Sequence, residues 1–325
     1  MLPEVAKWLR RRTSAAADWP LQTLLAAKGD TRISVVLPAR DEEATVGTIV
    51  GVIQRELVEQ APLVDEIVVV DSRSSDRTAA VAAEAGAEVV CQDDVLPAEG
   101  RMSGKGEALW KSLAVTTGDL IVFIDADLRG FTSSYITGLL GPLLADPQIA
   151  YVKGCYDRPL INGETRVEGG GGRVTELVAR PLINLHWPML AGVMQPLGGE
   201  YAGRRELLEQ LPFVTGYGVE LGLLLDVFRL AGLDAIAQVD LGRRVHSHQT
   251  TEALGAMSSQ IMLTAWSRLE QHGRMMPLEE PATALTQFRR VSDGHDIRVS
   301  DIGVGERPPM AEITEYAASR RSLLS

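Results

Sequence analysis

The chain has little that would suit a polyanion or a membrane. Acidic residues outnumber basic ones 43 to 32, leaving a formal charge of −11. That balance argues against non-specific nucleic-acid binding and against an anionic lipid surface as partner. An acidic ligand must therefore meet a local basic site. Cysteine is nearly absent. Cys91 and Cys155 lie in apolar stretches, are expected to be small buried hydrophobes, and supply neither a disulfide framework nor a zinc ligand set. No apolar run reaches the ~18–20 residues of a spanning helix, because Gly138, Gly141, Pro142, Asp146 and Pro147 interrupt the longest candidate. The N-terminus lacks the apolar core of a signal peptide, so the expectation is a soluble cytoplasmic protein.

What is present is a hydrophobic content of 45% over 325 residues, enough to fill one large α/β domain or two ordinary ones. Residues 1–30 predict one or two short amphipathic helices, divided near Asp18 to Pro20 and read as a solvated arm. From Arg32 the pattern changes. ISVVLPA (33–39), EIVVVDS (66–72), EVVCQ (88–92) and LIVFIDADL (120–128) are β-branched runs too continuous for strands with one wet face. Helical patterns lie between them. The alternation predicts an α/β fold: a mostly parallel, Rossmann-like sheet with helices on both faces and ligands at the carboxyl ends of its strands. A first unit of residues 31–155 follows. In 156–270 the alternation gives way to a long loop, a helix beginning near Arg173 with Val174, Leu177, Val178, Leu182 and Leu185 on one face, and a second short βα stretch. Residues 271–325 are Pro- and charge-rich without a strong period and read as a docked or partly disordered tail.

Several strand ends carry chemistry. Asp125 and Asp127 in FIDADL stand where a buried strand finishes, and they point apart unless the chain turns there. One could then face Mg²⁺ or Mn²⁺, for which hard oxygen ligands are suited, while the other reaches a nucleotide sugar ring. PARDEE (38–43) is either a helix N-terminus with acidic residues at the positive end of the dipole, or a site where Ala39, Arg40 and Glu42 surround a base and ribose. VVVDSRSSDRT (68–78) repeats the theme with Ser72. Lys105 lies between glycines at another helix start without Walker-loop spacing, and is either solvated or in contact with a diphosphate or base. His246 and His248, preceded by Arg243 and Arg244, form either a solvated basic loop or the source of an imidazole that joins Asp127 at the cation. The run GGGGRVTELVAR (169–180) is a hinge or an anion-binding nest at a helix N-terminus; Arg173 and Thr175, which suit a phosphate, favour the nest.

The stretches SVVLPARDEEATV, VVVDSRSSDRT, GKGEALWKSLA, VFIDADL, GGGRVTELVARPL, QPLGGEYAGRRELL, GYGVELGLLLD, GLDAIAQVDLG and LGAMS span about residues 31 to 260. In that order they resemble the glucosyl-3-phosphoglycerate synthases of actinobacteria and the related mannosyl-3-phosphoglycerate synthases. The resemblance implies a GT-A glycosyltransferase fold, a divalent cation (Mg²⁺ or Mn²⁺), a homodimer, and transfer of hexose from a nucleotide sugar donor to the 2-hydroxyl of D-3-phosphoglycerate with retention. It implies a nucleotide-sugar-binding unit over 31–155 and an acceptor-binding unit over 156–270. Pro38, Ala39, Arg40, Glu42, Ser72, Lys105, Asp125 and Ala126 would surround the nucleotide, and Asp127 and His246 would bind the metal. Gly172, Arg173, Thr175 and His248 would meet the acceptor, with Glu220 and Arg244 near the sugar and acceptor; Glu220, Arg244 and Asp127 are the expected catalytic residues, and Glu220 is the carboxylate to test should transfer proceed by double displacement. The chain departs from the mycobacterial members at Asp41, Ala126 and His248, where those carry Asn, Ser and Asn. UDP-glucose is the expected donor, with GDP-mannose or GDP-glucose as the nearest competitors. A nucleotidyltransferase would share the sheet but carry a basic Gly-rich loop where PARDEE stands. A non-catalytic nucleotide-sugar sensor would bind donor without turnover.

Overall fold

The computed structural model describes residues 1–157, 160–162, 165–167, 172–244 and 250–324. Its strands are β1 (Thr13–Ala15), β2 (Ile33–Ala39), β3 (Glu66–Asp71), β4 (Glu88–Cys91), β5 (Leu120–Phe123), β6 (Tyr151–Asp157), β7 (Leu160–Asn162) and β8 (Thr165–Val167). They are followed by β9 (Tyr201–Arg204), β10 (Phe213–Val214), β11 (Ile236–Arg243), β12 (Ala284–Val291), β13 (Gly294–Asp301) and β14 (Glu306–Arg307). Eight of them form one sheet in the order β1-β11-β6-β9-β5-β2-β3-β4. All neighbours are parallel except β9, which runs antiparallel to both β5 and β6.

Residue chemistry accounts for this arrangement. Successive side chains of a strand face opposite ways, so an unbroken apolar run needs cover on both faces. Val36, Val68 and Phe123 pack into one layer with the helices Lys105–Val115 and Val219–Ala231. Val35, Leu37, Val69 and Val122 pack into the other, against Val46–Ile53 and Ser134–Ala145. β4 differs: as the last strand it is only partly covered, and Cys91 is exposed on it, contrary to the expectation of burial, whereas Cys155 on β6 is buried. β9 left no trace in the strand–helix alternation because YAGR is short and carries a glycine.

The N-terminal segment is not a solvated arm. In the helix Pro3–Arg12, Val5 and Trp8 are buried, and Trp8 Nε1 donates to the Ile236 carbonyl at 2.8 Å. The chain then adds β1 to the sheet edge beside β11. The helix after Arg173 also departs from its expected face, since Leu177 and Leu185 are 74% and 75% exposed while Val174, Thr175, Ala179 and Ile183 are inside. A π-helical turn over Thr175–Ala179 precedes the α-helix Arg180–His186. Its extra residue per turn rotates the buried stripe away from regular 3.6-residue spacing.

The C-terminal region has elements its sequence period did not disclose. β12 and β13 form an antiparallel hairpin, and β14 returns to pair with β10. Arg307 is 4% exposed. It donates to both Glu107 oxygens at 2.7 Å, to the Glu99 carbonyl at 2.6 Å and to the Gly100 carbonyl at 2.9 Å. Trp110 Nε1 in turn donates to the Pro308 carbonyl at 2.8 Å. The tail thus clamps the loop that leads into Lys105. Replacing Arg307 by Met leaves the buried Glu107 with Lys111, 3.4 Å away, as its remaining cation. Breaking one side of a buried pair costs about 3 kcal/mol at the lower end of the usual range. The unfolding free energy of Arg307→Met in urea should fall by about that amount; a loss below about 1 kcal/mol would mean that Lys111 alone suffices for Glu107.

Candidate active site

The carboxyl ends of β2, β3 and β5 are neighbours, because Ala39 pairs with Asp71 and Val36 with Phe123. Beyond them the first two loops are laced together. The backbone N–H groups of Asp41, Glu42 and Glu43 donate to Ser74 Oγ, Thr78 Oγ1 and Asp76 Oδ2 at 3.0, 2.7 and 3.1 Å. In return Asp41 Oδ1 accepts from the Ser75 N–H and Glu43 Oε2 from the Arg77 N–H. Asp41 takes a left-handed φ of 57°, which aspartate tolerates better than most residues. Half of PARDEE is therefore joinery. Arg40 and Glu42 are left to line a cavity of about 720 Å³.

Every residue expected at the site lines that cavity, apart from His246 and His248, which lie outside the described residues. Pro38, Ala39, Arg40, Glu42 and Ser72 form one wall; Lys105, Asp125, Ala126, Asp127, Glu220 and Arg244 form the floor; Gly172, Arg173 and Thr175 line the cavity as well. The chain does turn after β5. Arg244 Nη2 reaches both Asp125 Oδ2 and Asp127 Oδ1, each at 3.0 Å, so the two carboxylates share one guanidinium.

The floor is a chain of alternating charges. Lys105 Nζ donates to Asp125 Oδ1 and to Glu220 Oε1, the latter at 2.7 Å. Arg244 Nη1 pairs with the fully buried Glu200 at 2.9 Å and donates to the Tyr156 hydroxyl at 2.8 Å. Burial alone would push Asp125 up, but Lys105 and Arg244 outweigh it and hold the carboxyl well below its ordinary pKa. Burial likewise opposes the charge on Lys105, and the Asp125 and Glu220 carboxylates overcome it, raising the ammonium above its usual value. Glu42, which has no ion pair among the described residues, is raised by burial and then by the nearby charge of Asp127.

Gly172, also lining the cavity, has a φ of 75°, a conformation that glycine adopts without a steric cost. It places the exposed Arg173 and the buried Thr175 at the start of the helical turn. The three other glycines of the run fall outside the described residues. Among the described residues no group of three His, Cys, Asp or Glu side chains could hold a metal. Asp127 is the accessible carboxylate, with 43% of its side chain exposed.

Residue-level reasoning did not single out Glu200, Gln92, Tyr217 or Gly303. Glu200 lies in QPLGGE, but nothing local tells a buried carboxylate from a surface one; Gly303 comes from the tail, whose return to the cavity no periodicity announced.

Known proteins share this architecture. A glycosyl transferase family 2 model matches residues 34–211. The glucosyl-3-phosphoglycerate synthase of Mycolicibacterium smegmatis is 46% identical over 94% of this chain and 98% of its own. That of Petrotoga mobilis is 44% identical over 90% of each. Among solved structures, mannosyl-3-phosphoglycerate synthase from Rubrobacter xylanophilus superposes with a TM-score of 0.87 at 41% identity, covering 95% of this chain and 97% of that one. Glucosyl-3-phosphoglycerate synthase from Mycobacterium tuberculosis in complex with Mn²⁺, UDP and phosphoglyceric acid superposes with a TM-score of 0.79 at 46% identity, covering 90% and 94%. The chain belongs to glycosyltransferase family 2 and, within it, to the glucosyl-3-phosphoglycerate and mannosyl-3-phosphoglycerate synthases, hexosyltransferases of the GT-A fold.

Proposed function

We propose that this enzyme transfers glucose from UDP-glucose to the 2-hydroxyl of D-3-phosphoglycerate, giving glucosyl-3-phosphoglycerate with retention of configuration. One observation carries the reading: a single cavity is lined both by the acidic ends of the sheet, Asp125 and Asp127, and by the turn at Gly172, Arg173 and Thr175. The first suits a cation-bound diphosphate and the second a phosphorylated acid. The Mycobacterium tuberculosis relative, in complex with UDP, Mn²⁺ and phosphoglyceric acid, supports this choice of donor, cation and acceptor.

The residues present fit a hard divalent cation. Mg²⁺ and Mn²⁺ are held by few protein carboxylates together with substrate phosphates and water, and Asp127 is an exposed carboxylate at the mouth of the floor. His246 is the second ligand the family resemblance implies. A bound cation supplies neutralisation of charge on the departing diphosphate. Lys105, already charged and oriented by two carboxylates, adds a fixed positive group on the same side. Glu42, Ser72, Arg40 and the Pro38–Ala39 backbone hold nucleoside and ribose. Arg173 and Thr175 grip the acceptor phosphate, so that its hydroxyl is kept beside the anomeric carbon. His248 is assigned to the acceptor by resemblance alone.

Glu220 is spoken for by Lys105, an arrangement that suits an anchor and sugar contact better than a nucleophile. Transfer from the front face, with the leaving phosphate accepting the hydroxyl proton, needs no protein nucleophile. A cytoplasmic homodimer completes the reading; its dimeric part is supported by the apolar side chains exposed on the hairpin, Phe288 at 65%, Ile297 at 61% and Val299 at 64%. GDP-mannose is the second donor to test, because the Rubrobacter mannosyl enzyme shares this fold so closely.

Incubation with UDP-glucose, Mg²⁺ or Mn²⁺ and 3-phosphoglycerate should release UDP and form an α-configured phosphorylated glycoside, read by NMR, from a protein whose light-scattering mass is that of two chains. A nucleotidyltransferase would release pyrophosphate or consume it, and a sensor would bind without turnover. Arg173→Ala should raise the acceptor KM by about 10- to 100-fold, the range of a lost charge-assisted phosphate contact, and the donor KM by less than about twofold. Equal changes in both would count against its acceptor role. Glu220→Gln should retain measurable turnover at a reduced kcat, whereas a complete loss that azide restores as glucosyl azide would establish double displacement through Glu220.

A further inference from the structure

The wall of the cavity formed by Ser72 contains a hydrogen-bond relay that can run in one direction only. Gln92 lines the cavity beside Ser72 yet is 1% exposed. Its Nε2 donates to the Met102 carbonyl at 3.2 Å. A carbonyl accepts and never donates, so the amide is held with its own oxygen turned to Ser72. That oxygen, Oε1, is also an acceptor only, and Ser72 Oγ stands 2.8 Å from it. A serine hydroxyl has one proton, and here it is committed to Gln92. Ser72 therefore presents lone pairs, and no proton, to whatever lies in the cavity.

The far end of the relay is fastened too. Met102 N–H donates to Glu107 Oε1 at 3.3 Å, and Glu107 is held by both arms of Arg307. The Ser72 N–H donates to the Ala39 carbonyl at 2.8 Å, which fixes the backbone from which the hydroxyl projects. Neither end can readily turn over to reverse the direction.

We propose that Gln92 determines which nucleotide bases the donor site accepts, by holding Ser72 as an obligate hydrogen-bond acceptor. The inference rests on the nucleotide-sugar reading of this cavity and deepens it. A base whose pairing edge carries a ring N–H, uracil at N3 or guanine at N1, gives Ser72 the proton it lacks. Cytosine and adenine present a lone pair at the corresponding ring nitrogen and meet a second lone pair. To donate to them, Ser72 would have to withdraw its proton from Gln92 Oε1 and leave a buried acceptor unpaired, a penalty of roughly 10- to 100-fold in affinity. The relay separates uracil and guanine from cytosine and adenine; between uracil and guanine it is neutral, and the size of the pocket has to choose. Gln92 is a positioning residue in this scheme, since it acts on the base through Ser72.

The test is the ratio of dissociation constants for UDP and CDP, measured by calorimetry with Mg²⁺ on the full-length enzyme and three variants. Comparing two ligands on one preparation removes the effect of any inactive fraction. Wild type should favour UDP over CDP by roughly 10- to 100-fold. Gln92→Met frees the hydroxyl to rotate and donate, so the ratio should collapse by about tenfold or more, with CDP gaining affinity. Gln92→Glu, its protonated carboxyl donating to the Met102 carbonyl in place of Nε2, keeps an acceptor beside Ser72 and should restore the preference for UDP, which a purely structural role for Gln92 would not predict. Ser72→Ala should weaken UDP and narrow the ratio. An unchanged ratio in Gln92→Met overturns the proposal. If wild type still turns over UDP-glucose with 3-phosphoglycerate in that case, the transfer reading stands and the Gln92 assignment alone falls. A wild-type protein that binds neither UDP nor GDP and shows no turnover sinks both.

Discussion

The site depends on keeping carboxylates ionised in a place from which water is largely withdrawn. Asp125 has cations on both of its oxygens, Lys105 on one and Arg244 on the other. Lys105 joins it to Glu220, and Arg244 joins it to Asp127 and Glu200. Lys105 and Arg244 offset the burial of Asp125, the condition under which buried charge is tolerated at all, whereas at the deeper Glu200 burial outweighs Arg244 and raises the carboxyl. The arrangement also holds groups from five separate stretches of the chain at fixed distances. A charge network of this kind is preorganised: when charge shifts toward a leaving diphosphate, the groups that stabilise it are already in place.

Packing of remote elements protects that preorganisation. Loops are the mobile parts of an α/β fold, and most of this site is built on loops. They are restrained by reciprocal ties. The loops after β2 and β3 hold each other through Asp41, Glu43, Ser74 and Asp76, and the loop before Lys105 is clamped from the C-terminal segment by Arg307. Gly303 brings that same segment to the edge of the cavity. Residues distant in sequence therefore set the geometry of Lys105 without lying near the reacting atoms.

The proposed donor and acceptor regions of the cavity differ in chemistry. The strand ends have carboxylates, suited to a cation that bridges to a diphosphate, while the turn at Gly172 has a positive-φ glycine, an arginine and a buried hydroxyl, groups suited to a phosphate without a cation. A protein with a net charge of −11 needs such local devices, because its overall field repels anionic substrates. The excess of acid elsewhere confines attraction to the cleft.

Much was legible from the residues themselves. Unbroken β-branched runs ending in acidic or hydroxyl residues determined the parallel strands and put Asp125, Asp127 and Ser72 at their carboxyl ends, because strand periodicity and strand polarity are local properties; Arg173 was legible from the glycine run before its helix instead. Other features were decided only in three dimensions. β9 enters the sheet antiparallel, the arm around Trp8 is buried, the helical stripe after Arg173 is rotated by a π turn, and the tail closes on Glu107. Each of these arises from contacts between segments far apart in the chain, where the energy of packing overrides local pattern. The proton direction of the Gln92–Ser72 relay is of the same kind. A glutamine and a serine have no fixed polarity in a sequence, and it took a carbonyl from a third segment to impose one.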